Sequence, residues 1–127
     1  MPGKKTYHTI IPGFITKGNT AVGPFGVMGG YMQPQGHLQV ASNLIDFNLN
    51  PQMALDAPRW QWMKDKKILV EPNFDTSMVD KLRRMGHDMQ IAADPGSFGR
   101  GQVIIKLKNG AYVGGSESRT DGHIAIY

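Results

Sequence analysis

Two adjacent glycines, Gly29 and Gly30, stand between an apolar run ending at Met28 and a helix predicted to begin near Pro34 or Gln35. Neither carries a Cβ, so a ligand can approach their backbone N–H groups, and both can adopt φ values closed to other residues. Two such donors side by side can hold an oxyanion, and the positive end of the following helix adds to the same spot. A tight turn where the chain packs closely on itself fits the same residues, so spacing alone leaves both readings open.

Other reactive patterns are sparse. The chain has no cysteine, which removes disulfides, thiolate catalysis and the common zinc frameworks together. His8, His37, His87 and His123 show no H-x-x-x-H spacing, and no metal site or cofactor is implied. The glycine-rich stretch from Gly96 to Gly101 lacks the Lys-Ser/Thr of a phosphate-binding loop and is expected to be a surface loop. Asp46, Asp56 and Arg59 read as structural, the last two as a local pair flanking a helix end.

The run from Phe25 to Trp60, FGVMGGYMQPQGHLQVASNLIDFNLNPQMALDAPRW, resembles the C-terminal part of the gamma-glutamyltransferase family, N-terminal-nucleophile enzymes also called glutathione hydrolases. The likeness continues in Gly114-Gly115-Ser116-Glu117-Ser118-Arg119, Gly122 and Tyr127, which resemble the family's closing segment. The stretch from Thr9 onward resembles the strand before the glycines. The resemblance implies an α/β (α+β) fold: part of a four-layer αββα sandwich, with residues 1–127 forming a single domain that is a C-terminal fragment of the small subunit.

It also implies a threonine nucleophile at the new N-terminus of that subunit, whose own α-amino group serves as base because a hydroxyl attacks weakly at neutral pH. None of Thr6, Thr9, Thr16, Thr20, Thr76 and Thr120 stands in the nucleophile motif, so the chain is expected to lack it. What carries over is the oxyanion hole, on Gly29 and Gly30. Where many members have a serine pair for the α-carboxylate of the glutamyl group, this sequence has Lys4-Lys5, with His8 nearby. Lysine binds a carboxylate as a point charge without the short fixed geometry of a hydroxyl; solvated N-terminal lysines are the alternative.

The expected reaction is acyl transfer or hydrolysis of γ-glutamyl amides such as glutathione by the complete enzyme, this fragment being inactive alone. A glutaryl or cephalosporin-type acylase, and a non-catalytic scaffold, stand as alternatives. The expected partners are the large subunit and nucleophile-bearing segment, a small γ-glutamyl substrate, and a second copy of the chain through an open sheet edge.

Composition fits this scale. At 127 residues, 40% hydrophobic and 19% charged, the chain has the size and make-up of an ordinary globular domain. Its +4 formal charge is dispersed apart from Lys64–Lys67 and Lys81–Arg84, which lack interleaved aromatics, so nucleic-acid binding is not expected. No membrane-length apolar run and no signal pattern at the start is present, which leaves the compartment open.

The positioning elements follow from period and punctuation. A strand is predicted over Thr6–Thr16, a turn at Lys17-Gly18-Asn19, and a strand from Thr20 to Met28, with Pro12 and Pro24 at edges or bulges. A helix over Gln35–Leu49 should bury Leu38, Ala41, Leu44, Ile45 and Phe47. Asn50-Pro51 should cap a short helix that Pro58 ends, before an extended Arg59–Trp62. A strand at Ile68–Glu71 precedes a helix over Thr76–Met85, with Met78, Val79 and Leu82 inward and Gly86 closing it. Strands at Asp88–Ala93 and Val103–Leu107 follow, and Asn109-Gly110 turns the latter into Ala111–Val113.

Overall fold

The computed structural model describes residues 1–127. Strands β1 (Gly13–Lys17) and β2 (Thr20–Met28) form a hairpin. They are followed by helices α1 (Met32–Ile45) and α2 (Pro51–Asp56), strands β3 (Trp60–Lys64) and β4 (Lys67–Val70), and helix α3 (Thr76–Arg84). Strands β5 (Asp88–Ile91), β6 (Arg100–Lys106) and β7 (Tyr112–Ser116) complete the chain.

Two sheets result. The larger is antiparallel with order β1-β2-β6-β7; the smaller has order β3-β4-β5, in which β4 and β5 run parallel because α3 carries the chain across between them.

Helices α1 and α2 cover one face of the four-stranded sheet. Period-two alternation sends Val27 of β2 and Val103 of β6 inward against Val40 and Leu55, all fully buried. The opposite face, carrying Phe14, Met28 and Ile104, is open to solvent. The smaller sheet packs Val70 and Met89 against Val79 of α3.

Several expectations shift for physical reasons. The first strand begins at Gly13, seven residues later than predicted at Thr6, since Pro12 can donate nothing to a ladder. Upstream of it, the chain is instead held by one side chain: Gln33 Oε1 accepts from Ile11 N at 3.2 Å, and Gln33 Nε2 donates to Thr9 O at 2.9 Å. Pro24 lies in an interior strand but just beyond the last residue paired with β6, so its missing N–H leaves no gap there.

Helix α1 starts three residues before the predicted Gln35, because Pro34 falls in the first turn, where no N–H is required. Its buried face is also different. Met32, Gly36 and Val40 point inward, with Leu44 partly covered, whereas Leu38, Ile45 and Phe47 are exposed. Gly36 decides this rotation: a Cβ there would stand 2.7 Å from Val27 Cγ1, so the helix settles with Gly36 against β2. Met78 likewise turns outward from α3, while Val79 is buried as expected.

Glutamine side chains recur as surrogate strands. Gln39 accepts from Trp60 N and donates to Trp60 O, both at 2.9 Å, and Gln35 does the same for Trp62 at 2.6 and 3.2 Å. These satisfy the outer edge of β3 from α1. Gln52 of α2 treats Ser116 at the end of β7 in the same way, at 3.0 and 2.9 Å.

Candidate functional site

Strand β2 delivers the chain to Gly29 at φ +140° and Gly30 at φ +58°, conformations that residues with a Cβ rarely adopt. Helix α1 then begins at once. Met32 N donates to Gly29 O at 3.0 Å and Gln33 N donates to Gly30 O at 3.1 Å.

Because each trans peptide sets its N–H opposite the preceding carbonyl, the Gly30 N–H projects away from the helix that its neighbour's carbonyl faces. Neither Gly29 N–H nor Gly30 N–H donates to any acceptor of the chain. Gly29 is half-buried and Gly30 exposed, and no atom lies within 4 Å of where a Gly30 Cβ would stand. The residue opening the helix, Tyr31, supplies no side-chain cap, and the positive end of the α1 dipole lies next in sequence to the two amides.

Two hollows are lined by residues that flank this turn. One of about 300 Å³ is lined by Ile10, Pro12, Phe25, Met28 and Ile104 among others. The other, of about 560 Å³, is lined by Tyr31, Pro34, Gln35, Trp60, Trp62 and Met63. Met28 lines the first and Tyr31 the second, and neither glycine lines either hollow.

The turn is backed by the segment at Phe98-Gly99. Gly99 Cα lies 3.0 Å from the position a Gly29 Cβ would take, and a Cβ on Gly99 would itself stand 2.5 Å from Met28 O. This corrects the expectation of a surface loop over Gly96–Gly101: Phe98 and Gly99 are buried, and Arg100 and Gly101 begin β6.

A side chain remote in sequence holds that segment. Arg59 Nη1 donates to Phe98 O and to Gly99 O, each at 3.0 Å, while its Nη2 donates to Leu55 O at 3.1 Å and to Glu117 Oε2 at 2.9 Å. The local pair expected between Asp56 and Arg59 does not form; Asp56 accepts from Gln52 instead, at 3.0 Å. Glu117 Oε2 also accepts from Gly101 N at 2.6 Å, and its Oε1 accepts from Arg119 at 2.7 Å. Arg119 bonds both oxygens of Glu71, and Glu71 Oε2 accepts from Arg59 N at 2.7 Å.

Arg59, Glu71 and Glu117 are each no more than 2% exposed. Two cations and two carboxylates therefore neutralise one another away from water, the condition under which buried charge is tolerated. Burial alone would raise the Glu117 carboxyl, but the Arg119 hydrogen bond and the Arg59 charge outweigh it and hold the group below the usual carboxylate range. Burial, then the Arg119 charge, pulls Arg59 below its ordinary value; burial pulls Arg119 the same way, but hydrogen bonds to Glu71 and Glu117 and their charges outweigh it and raise the group.

Of the residues singled out from sequence, Gly29 and Gly30 share this turn. Lys4, Lys5 and His8 are exposed on the segment preceding the Gln33 tether, without hydrogen bonds or ion pairs to the rest of the chain. Sequence reasoning passed over Glu71, Glu117 and Arg119; the charged residues inside the glycine-rich GGSESR segment were the available signal.

Residues 1–127 match the sequence model of the gamma-glutamyltranspeptidase family. The chain belongs to this family. Among relatives, it is 30% identical to the glutathione hydrolase-like YwrD proenzyme of Bacillus subtilis (strain 168), over 95% of this chain and 24% of that protein. It is also 30% identical to the oxamate amidohydrolase proenzyme of Klebsiella pneumoniae, over 99% and 25%. The chain thus spans about a quarter of the curated relatives it matches.

A cephalosporin acylase from Bacillus halodurans superimposes with a TM-score of 0.91 at 58% identity, covering the whole of this chain and 24% of that one. The gamma-glutamyltranspeptidase from Pseudomonas nitroreducens complexed with L-DON shares the fold, with a TM-score of 0.78 at 24% identity over all of this chain and 66% of that one. Family and neighbours are enzymes, and the mixed α/β architecture is that of their N-terminal-nucleophile fold.

Proposed function

We propose that this chain is the C-terminal portion of the small subunit of a gamma-glutamyltranspeptidase-type N-terminal-nucleophile enzyme, and that Gly29 and Gly30 form its oxyanion hole. The supporting observation is the pair of unengaged amides at the first turn of α1. In the complete enzyme a threonine Oγ attacks the acyl carbonyl of a γ-glutamyl amide while the α-amino group takes its proton. The carbonyl oxygen becomes an oxyanion facing the two N–H groups; collapse expels the amine, which takes up that proton, and leaves an acyl ester on threonine. Water or an acceptor amine then attacks the ester, passes through a second oxyanion in the same place, and frees the threonine.

The threonine belongs to a segment outside this chain, so residues 1–127 contribute half a site and are inactive alone. Mixing the chain with the nucleophile-bearing segment and assaying γ-glutamyl-p-nitroanilide tests this. Hydrolysis by the mixture but by neither part is the expected result; none under any condition supports a scaffold role instead.

A second reading of the acyl group has a specific basis. Lys4-Lys5 replaces the family's serine pair, and a point charge suits a dicarboxylic acyl group such as glutaryl as well as glutamyl. The similarity to a cephalosporin acylase adds to it. Comparing glutaryl and γ-glutamyl anilides separates the two: equal rates, or no reaction with either, would remove the lysine pair from substrate selection.

A further inference from the structure

The segment ahead of β1 carries Lys4, Lys5 and His8, has no helix or strand, and makes its two hydrogen bonds to the rest of the chain with one side chain. That side chain is Gln33. It is 8% exposed, and its carboxamide pairs with the extended backbone as a neighbouring strand would, accepting from Ile11 N and donating to Thr9 O.

At the other end, the Gln33 backbone N–H donates to Gly30 O and its carbonyl lies 2.6 Å from His37 Nδ1. One residue therefore joins the extended segment to the glycine turn. From Thr9, the path to Gly30 runs through a single side chain and a single peptide group.

We infer that Gln33 is a positioning residue that sets the distance between the Lys4–His8 segment, which would receive the distal carboxylate of the acyl group, and the amides of Gly29 and Gly30, which receive its carbonyl oxygen. An acyl donor with a carboxylate at its far end is measured between these two points. This inference rests on the oxyanion role and the lysine-pair role proposed above and adds what fixes the reach of the site.

The chemistry of the carboxamide makes this specific. Only an amide offers a donor and an acceptor in the fork that an extended backbone requires at residues 9 and 11. Methionine keeps the length and apolar stem without either group. Glutamate keeps an acceptor for Ile11 N but sets an oxygen against Thr9 O, so it retains one bond of the two.

The test uses Gln33→Met and Gln33→Glu in the chain combined with its nucleophile-bearing segment, with anilide kinetics as one readout and amide exchange at Ile11 as the other. For Gln33→Met, KM for the preferred dicarboxylic acyl anilide should rise about tenfold, the size expected from two lost neutral hydrogen bonds, with kcat within about twofold. Gln33→Glu should fall between it and the wild type. Exchange protection of the Ile11 N–H should drop for methionine and persist in part for glutamate.

A fall in kcat at unchanged KM would place the effect on the oxyanion turn and overturn the inference, as would an active wild type with both variants kinetically unchanged. Those two results leave the oxyanion reading standing. An inactive wild-type combination overturns both, and is recognised because the variants are then never compared. Folding of each variant is checked by its thermal transition, and the glutamate variant keeps the test informative if methionine in the first turn of α1 melts early.

Discussion

Gly29 and Gly30 differ in what confines them, and that difference is measurable. At Gly30 a Cβ would meet open space, so Gly30→Ala carries only the left-handed backbone penalty, about 1 kcal/mol. At Gly29 the φ of +140° lies outside even the left-handed helical well, and the new Cβ would press on Gly99 Cα at 3.0 Å. Gly29→Ala should therefore lose more, about 2–3 kcal/mol. Urea unfolding of the two variants should rank them in that order; equal losses would mean that Gly99 yields. The proposed oxyanion role predicts that disturbing either amide in the combined enzyme lowers kcat about a hundredfold, the usual scale for one such donor.

Glu117 is the other residue whose removal has a defined sign. Replacing it with glutamine leaves Arg59 and Arg119 buried with one carboxylate between them, and breaking a buried pair costs about 3–5 kcal/mol. A loss under 1 kcal/mol in urea unfolding would show that water reaches the network.

Among the elements, α2 is short and depends on its ends. The Asn50 side chain accepts from Met53 N at 2.9 Å and Pro51 occupies the first turn, the arrangement its sequence predicts. Asn50→Ala should destabilise by about 1 kcal/mol. Because α2 packs on β6 and β7, the loss should appear in the global transition rather than as local fraying.

The rotation of α1 and the coverage of β3 follow a different logic. Counting apolar residues at helical spacing puts Leu38 and Ile45 inside, yet the glycine at position 36 sets the contact. Gln35 and Gln39, polar residues on the helix, prove to be the partners of a strand edge. Replacing both with alanine should free the outer groups of β3 and raise concentration-dependent association in sedimentation, since unpaired edges recruit other strands.

At the scale of the molecule, the ion network links segments far apart in sequence, so its titration is read in global stability. The Glu117 carboxyl titrates lower in the folded chain than when unfolded. The stability it confers is fully present above its unfolded pKa and is lost as pH falls through the lower folded value. Stability should stay level in this respect near neutrality and fall on acidification below the usual carboxylate range, with a shallower acid limb in Glu117→Gln. The open sheet face bearing Phe14, Met28 and Ile104, and the edge strand β1, remain apolar or unpaired surfaces within residues 1–127. They are consistent with the proposed docking of further chain, and in its absence with self-association visible in sedimentation at high concentration.

Local chemistry determined much of this protein in advance. Turn and cap residues such as Gly18-Asn19, Asn50-Pro51 and Asn109-Gly110 act on their immediate neighbours, so the hairpins, α2 and α3 were legible from the chain, as were the glycine pair and the family. Tertiary structure alone decided which side of α1 is buried, that Phe98-Gly99 lies beneath the glycine turn, and that Arg59 reaches Glu117 rather than Asp56. Each of these depends on distances between residues tens of positions apart, and such distances are set by how whole elements close on one another rather than by any local preference.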